Sequence, residues 1–382
     1  MSEIRVNSLG NETNTGGPEL SGITEFSGQK YFIPPRGTTA QRPTGCPEGS
    51  IRYNTDSGNL EYFSGGVWLE FVASSEHVGV STFTGGESAR GTGTRGVWMG
   101  GQKDGVGVFS AIDFVSITNF GHAKNFGNLT GNKQEANAFS SSIRGFYFGG
   151  DPALTAIDTF TFSTEGTATA FGNLTQGSKT GAGLANSTRG IAYLGNSPAP
   201  TTVNIIEYVT MASTGSATDF GDNEIAKGAN GSAVASPVRG VFFNGNAPAA
   251  GSNTLAYITI STTGNALDFG DQQSSKGAMG AASNSTRGVT MGGFTPGASN
   301  DIEYIQIAST GNTVNFGDLI TANYYNAACS SSTRVLSGGG GSPVTDTIES
   351  VEIATTGNAS DFGNLASDRR HLESCSNGHG GL

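Results

Sequence analysis

The chain has little charge, little cysteine and no long apolar run. Of its 382 residues only 13% are Asp, Glu, Lys or Arg, and the balance is acidic at −11. A surface with few cations and a net negative charge does not attract a phosphate backbone, which excludes nucleic acid as a partner. Cys46, Cys329 and Cys375 are an odd number and form no CxxC pair. A disulfide framework and a zinc site are therefore not indicated. No apolar stretch reaches the length of a membrane span, and no basic-then-apolar leader opens the chain. Neither membrane insertion nor a secretory signal is expected. The four histidines, His77, His122, His371 and His379, stand at unrelated places, and no Gly-x-Ser-x-Gly or phosphate-binding loop occurs. No metal, cofactor or catalytic residue is expected, and the chain reads as a non-enzyme.

Glycine, by contrast, is abundant, at 60 residues against 12 prolines. No G-X-Y period accompanies it, which excludes collagen, and recurring clusters of Val, Ile, Phe and Tyr argue against disorder. Glycine with Ser, Thr and Asn suits many tight turns between short strands. The expected class is all-β.

A self-similar period of about 48 residues begins near residue 94 and runs to the C-terminus. One anchor is an arginine opening a short strand: Arg95, Arg144, Arg189, Arg239, Arg287 and Arg334. The other is a Phe-Gly pair at Phe126, Phe171, Phe220, Phe269, Phe316 and Phe362. Each unit reads as four strands. The first is rich in small residues (Gly231–Ser236, Gly280–Ser283, Asn326–Ser330). The second opens on the arginine (Arg287–Met291), and the third alternates apolar and polar residues (Asp301–Ile307, Thr347–Ile353). A Thr-Gly-Asn turn then leads to a fourth strand ending in Phe-Gly. Four short strands per period of this length indicate a β-propeller of six blades. Small first strands fit the crowded centre of such a ring, and the glycine after each Phe fits a bulge or a positive φ at the outer corner. The last unit supplies His371–Asn377 as an innermost strand after Phe362. The first unit has no legible inner strand in Glu87–Gly93. The C-terminal strand is thus expected to complete the first blade and remove the free edge.

The Gly-Gly ending of the second strand, the acid on the third and the aromatic on the fourth together resemble kelch-type repeats. Gly195-Asn196 and Gly245-Asn246 depart from that pattern, and Phe stands where kelch repeats carry Trp.

Residues 1–75 lie outside the repeat. Residues 1–42, with Pro34-Pro35, read as an extended attachment arm, and 43–75 as a small β-meander with strands Gly49–Tyr53, Asn59–Phe63 and Val67–Phe71. Tyr53, Tyr62, Phe63 and Trp68 are its expected core. Residues 76–382 form the propeller. The stretch GSIRYNTDSGNLEYFSGGVWLEF resembles a module of structural and fibre proteins of tailed phages, and MSEIRVNSLGNETNTGGPELSG is similar to the N-termini of virion proteins of marine cyanophages. The resemblance implies a virion protein, assembled in the host cytoplasm and released by lysis. Its arm would dock on other virion proteins, its propeller would face a host surface polysaccharide or decorate the particle, and a homotrimer through the arm would suit a fibre. A free carbohydrate-binding or protein-interaction module, and a glycan hydrolase or lyase, are the competing readings.

Two residue series are candidates for a site. The six anchor arginines would either form a ligand-binding ring or pair or stack each within its own repeat, for instance with a third-strand acid (Asp113, Asp158, Glu207, Glu303, Glu349), a series that Ala256 breaks. Seven or eight residues after each Phe stand Lys133, Lys179, Lys227, Lys276, Asn323 and Arg369. Placed in loops at the channel mouth, these basic residues would either solvate the loops and pair locally or focus an anionic group of a glycan.

Overall fold

The computed structural model describes residues 34–70, 94–196, 201–225, 232–245, 252–341 and 343–382. Two compact units divide the chain, Met1–Ala73 and Ser74–Leu382. Both are built from strands, and the described residues contain no α-helix. The expected arm lies outside the described residues up to Ile33, as does Lys227.

In the first unit the expected meander is present as β2 (Ile51–Asn54), β3 (Asn59–Ser64) and β4 (Val67–Glu70). A short strand β1 (Arg36–Gly37) adds to β2 in parallel. One face carries Phe63 packed on Trp68 (5.4 Å between ring centroids), with Arg52 over the indole. Glu61 is buried on this face, where Arg42 and Arg52 approach it and the Asn54 amide donates to it (2.7 Å). The hydrogen bond from Arg42 holds the Glu61 carboxyl below its ordinary pKa against the effect of burial. Tyr53 and Tyr62, expected in the core, instead lie on the opposite face with Ile51, Leu60, Val67 and Leu69; Tyr62 is half-buried and the others are exposed. Strand alternation puts Arg52, Asn54 and Glu61 together on the other face, where the segment bearing Thr39 and Arg42 covers and pairs them.

In the second unit six four-stranded antiparallel sheets recur, here numbered I to VI. Sheets II to VI span residues 137–178, 182–222, 232–271, 280–323 and 327–364, each in simple up-and-down order. Sheet I takes its second, third and fourth strands from Arg95–Met99, Ala111–Ser116 and Lys124–Asn128. Its first strand is the C-terminal segment Glu373–Ser376, paired antiparallel so that Cys375 faces Val97. The first strands neighbour one another in a cycle, from I through II to VI and back to I. The fold is all-β and propeller-like. Ala138, Gly183, Ala233, Ala281, Ala328 and Ser374 occupy the second position of the six first strands and line the central cavities.

Between the third and fourth strands every sheet carries a bulge at the anchor phenylalanine. In sheet I, for example, Ile112 pairs with Gly127 and Asp113 with Asn125, leaving Phe126 as the extra residue. The same register shift falls at Phe171, Phe220, Phe269, Phe316 and Phe362. The bulge turns each ring into the layer between sheets, where all six are buried. The phenylalanine carbonyl meanwhile accepts from a turn glycine of the following sheet: Gly166 N–H to Phe126 O (2.8 Å), Gly311 N–H to Phe269 O (2.7 Å) and Gly121 N–H to Phe362 O (2.9 Å). The Phe-Gly pair and the Thr-Gly-Asn turn are thus two halves of one joint. Gly270 shows why the second residue of the pair is glycine. Its φ is +144°, and a Cβ there would sit 2.5 Å from the carbonyl oxygen of Gly311 in the next sheet.

Gly270→Ala is expected to lose about 2–4 kcal/mol, combining backbone strain with the collision. Gly264→Ala, at a similar φ but with open space around its Cβ, is expected to lose only the strain, about 1–2 kcal/mol. Urea unfolding of both variants measures the difference; equal losses would remove the steric part of the joint.

Candidate functional site

At the start of the second strands the anchor arginines other than Arg144 stack on aromatic rings and bridge to the next sheet, and their ion-pair partners do not include Asp113, Asp158, Glu207, Glu303 or Glu349. Arg189, Arg239 and Arg287 lie over Tyr208, Tyr257 and Tyr304 of their own sheets at 4.3–4.7 Å, and Arg95 lies over Phe114. Their guanidinium groups donate to the chain just past the third strand of the next sheet, as Arg239 Nη1 does to Ile307 O (3.1 Å) and Ala308 O (2.9 Å). Arg334 makes the corresponding bond to Ile117 O in sheet I and adds an ion pair to Glu352. For Arg144 the backbone N–H bonds Ser141 Oγ. Register explains the difference: Arg95 pairs with Ser116, whereas Asp113 pairs with Trp98, three residues along.

The third-strand acids instead hold the connection arriving from the preceding sheet. The amide N–H four residues after five of the six anchor phenylalanines donates to the next sheet's acid, as Thr130 does to Asp158 (3.2 Å), Gln273 to Glu303 (3.4 Å), Ile320 to Glu349 (2.9 Å) and Ala366 to Asp113 (3.3 Å); after Phe220 the next sheet has Ala256 instead. The basic series reaches the same carboxylates. Lys133 pairs with Asp158 at 2.8 Å, Lys276 with Glu303 at 2.7 Å and Arg369 with Asp113 at 2.8 Å. Lys133, Lys276 and Arg369 are 5%, 0% and 0% exposed, so they offer no charge to an outside anion. Of the two readings of the basic series, these three residues follow local pairing, as buried clasps between sheets, and not a ring of free cations at the channel mouth. Burial raises the pKa of Asp113 against the pull of Arg369, and burial lowers that of Arg369. Asn323, in the same series, donates to Gly339 O (2.8 Å).

Lys179 differs because it stands one residue later than the rest. Ser178, fully buried, takes the clasp position, and Lys179 reaches the loop face. There it pairs with Asp151 (2.8 Å) and Glu135 (3.1 Å). Burial opposes its charge, but these hydrogen bonds hold its pKa above the ordinary lysine value and that of Asp151 below the ordinary carboxylate value.

Two residues past the clasp position lies a feature with no signature in residue type. Glu135, Thr180, Ala278, Tyr325 and His371 all have left-handed backbone, with φ of 53–56°. Their peptides form a run of hydrogen bonds: Tyr325 N–H donates to Ala278 O (2.7 Å), His371 to Tyr325 O (3.2 Å), Glu135 to His371 O (3.1 Å) and Thr180 to Glu135 O (2.8 Å). At four of the five the strain of φ > 0 is held by a bond to the turn before it. These residues line one mouth of the central channel. Their side chains are Glu, Thr, Ala, Tyr and His, so no alignment of the six units by residue identity would reveal the position.

Below the mouth stands Glu373, the single acid among the six residues that open the first strands; its counterparts are Asn137, Ala182, Ser232, Gly280 and Ala327. Burial lifts its carboxyl to about 8. The other end of the channel is crossed by the C-terminal residues: His379 Nε2 lies 2.8 Å from Ser140 O, and Gly381 N–H donates to His379 Nδ1. A series of serine hydroxyl bonds runs around five of the six sheets at this end, from Ser140 to Ser376 O, Ser376 to Ser330 O, Ser330 to Ser283 O and Ser283 to Ala235 O. Among the described residues no group of three or more His, Cys, Asp and Glu side chains is placed to hold a metal ion. Cys46, Cys329 and Cys375 are free thiols.

Lys276→Met, which strands Glu303 in the seam, is expected to cost about 3–5 kcal/mol, and Lys276→Met with Glu303→Leu to recover most of it. Denaturant midpoints of the single and double variants check this. For Glu373 the folded pKa lies above the unfolded value, so the folded state keeps a proton that the unfolded chain releases. Stability is therefore lost as pH rises from about 4.5 to about 8 and is level above. Glu373→Gln is expected to gain stability over the parent across that window, read from melting curves at several pH values. A parent–variant difference that does not change with pH would refute the assignment.

No protein-family model matches the chain, and no curated protein matches it either. The reading of the site rests on its geometry.

Proposed function

We propose that residues 94–382 form a six-bladed, kelch-like β-propeller closed by its C-terminal strand. We further propose that the N-terminal segment attaches it to a phage particle, where the propeller projects outward to recognise a host-surface glycan or to decorate the particle. The observation that carries it is the exposed apolar face of the N-terminal sheet: Ile51, Leu60, Val67 and Leu69 are 51%, 41%, 55% and 40% exposed on one side of a four-stranded sheet. A contiguous apolar surface of this kind marks a place where another protein docks. The phage-like sequence of this segment gives that protein its class, another virion component. The remainder of the chain supports a binding role over a catalytic one, because its repeated acids and cations are consumed in the joints between sheets.

In the full-length chain, Ile51→Glu with Leu69→Glu is expected to lower incorporation into purified particles roughly tenfold or more, since charge on an apolar docking face is strongly disfavoured. Deleting residues 1–75 should abolish it. Immunoblots of gradient-purified particles provide the readout. Unchanged incorporation of either variant, or particles that never contain the parent chain, would overturn the proposal.

A further inference from the structure

The loop face around the channel mouth breaks the sixfold repetition on one side. Between sheets V and I four rings follow one another. Phe294, in the loop after the second strand of sheet V, lies 5.2 Å from Tyr324; Tyr324 lies 4.9 Å from Tyr325; and Tyr325 lies 3.8 Å from His371, centroid to centroid. Phe294 is 39% exposed and the other three are partly exposed. Tyr324 stands at the repeat position that Gln134, Gly277 and Arg370 hold elsewhere, and Tyr325 and His371 at the left-handed position held elsewhere by Glu135, Thr180 and Ala278. The aromatic side chains are therefore not demanded by the joints, which form equally well with Gly, Ala or Thr at these places.

The charged groups beside this ledge are paired with one another, while Arg370 Nε and Gln134 Oε1 are buried without a hydrogen-bond partner. Lys179 pairs with Glu135 and Asp151, and Arg370 with Asp104 at 2.9 Å. His371 Nδ1 is 3.9 Å from a Glu135 oxygen, and burial with the nearby Arg370 lowers its pKa to about 4, so the ring is uncharged at neutral pH. A charged ligand would have to break these pairs. A ligand that carries hydroxyl groups on an apolar ring can join them, donating to Glu135 and Asp151 and accepting from Lys179 while their mutual pairing persists. The axial C–H bonds of a pyranose carry partial positive charge and suit the negative face of an aromatic ring.

We propose that the ledge Phe294–Tyr324–Tyr325–His371 binds a neutral pyranose glycan, its sugar faces on the rings and its hydroxyls toward Glu135, Asp151 and Lys179. This rests on the glycan-recognition reading above and specifies its ligand: a neutral chain, in place of the anionic one that the basic series would have selected.

The test uses the full chain on an array of glucose, galactose and mannose oligosaccharides, with uronate- and sialate-containing ones alongside, followed by calorimetry on the strongest binder. Neutral oligosaccharides should bind, with an affinity that 0.5 M salt leaves within about twofold. Phe294→Ala and Tyr324→Ala should each weaken binding about tenfold, the scale of one ring–ligand contact. Tyr324→Phe, which keeps the ring, should stay within about twofold of the parent, and circular dichroism should show all three variants folded. Binding confined to anionic sugars, binding indifferent to both alanine variants, or no binding to any oligosaccharide would each overturn the site. If particles carry the chain and adsorb to cells through it while the alanine variants have no effect, the ledge fails and the virion reading stands. If the ledge binds sugar but particles lack the chain, the reverse holds.

Discussion

Five of the six seams between sheets are tied by a hydrogen bond between main-chain groups, the N–H of a turn glycine donating to the carbonyl of a bulged phenylalanine, and at the sixth, between sheets II and III, Ala217 N–H donates to Asn173 O (2.8 Å). Because only peptide groups take part, the bond survives any change of side chain that leaves the bulge and the glycine in place. The rest of the second unit follows from it. The bulge turns the phenylalanine ring into the layer between sheets, as Phe126 meets Phe160 of the next sheet (5.3 Å). It also sends the chain toward the next sheet's third strand, where an acid captures the N–H four residues on. The arginines then span the same seam from the other end of the strands. Both joints recur between sheets VI and I, through Phe362 with Gly121 and through Arg369 with Asp113, so the closing seam is built like the others.

This division of labour explains which parts of the fold could be read from the sequence. The arginine and Phe-Gly series were legible because each is fixed by geometry that tolerates one residue type: a guanidinium long enough to cross a seam, and a glycine where a Cβ would strike a carbonyl. Strands bounded by those anchors lie where the pattern places them, as Gly280–Ser283 and Arg287–Met291 do. Spacing along the chain does not say across which seam a side chain reaches. An acid and an arginine in one repeat therefore looked like partners, although antiparallel register sets them three residues apart and the cation of the preceding repeat fills the gap. The one-residue offset of Lys179 had a similar consequence: grouped by distance from Phe with its neighbours, it belongs by position with Gln134 and Tyr324. In the first unit, alternation correctly separates two faces but does not say which is covered. Arg52, Asn54 and Glu61 lie under the segment bearing Arg42 and Thr39, and the aliphatic side chains take the open side.

In a cyclic repeat, whatever the joints require must recur, and whatever fails to recur is free to serve something else. The left-handed position at the channel mouth is a case where backbone recurs and side chain does not. Five residues share one conformation, four of them bonded to the turn before, yet they present Glu, Thr, Ala, Tyr and His. A scaffold fixed through its main chain in this way holds different side chains at set positions around an axis, the backbone strain being met by the joints and not by the side chains. On that scaffold the aromatic groups fall together on the side of sheets V, VI and I, and the ion pairs of Lys179 lie with sheets II and III. Clustering by chemistry around a ring whose geometry is uniform is not required by packing, and it is the property that a binding surface needs. The same argument separates Glu373 from the surface. It too is unique among six equivalent positions, but it lies below the mouth beside Asn137 and Ser374, where it lowers stability at neutral pH instead of meeting a ligand of any size.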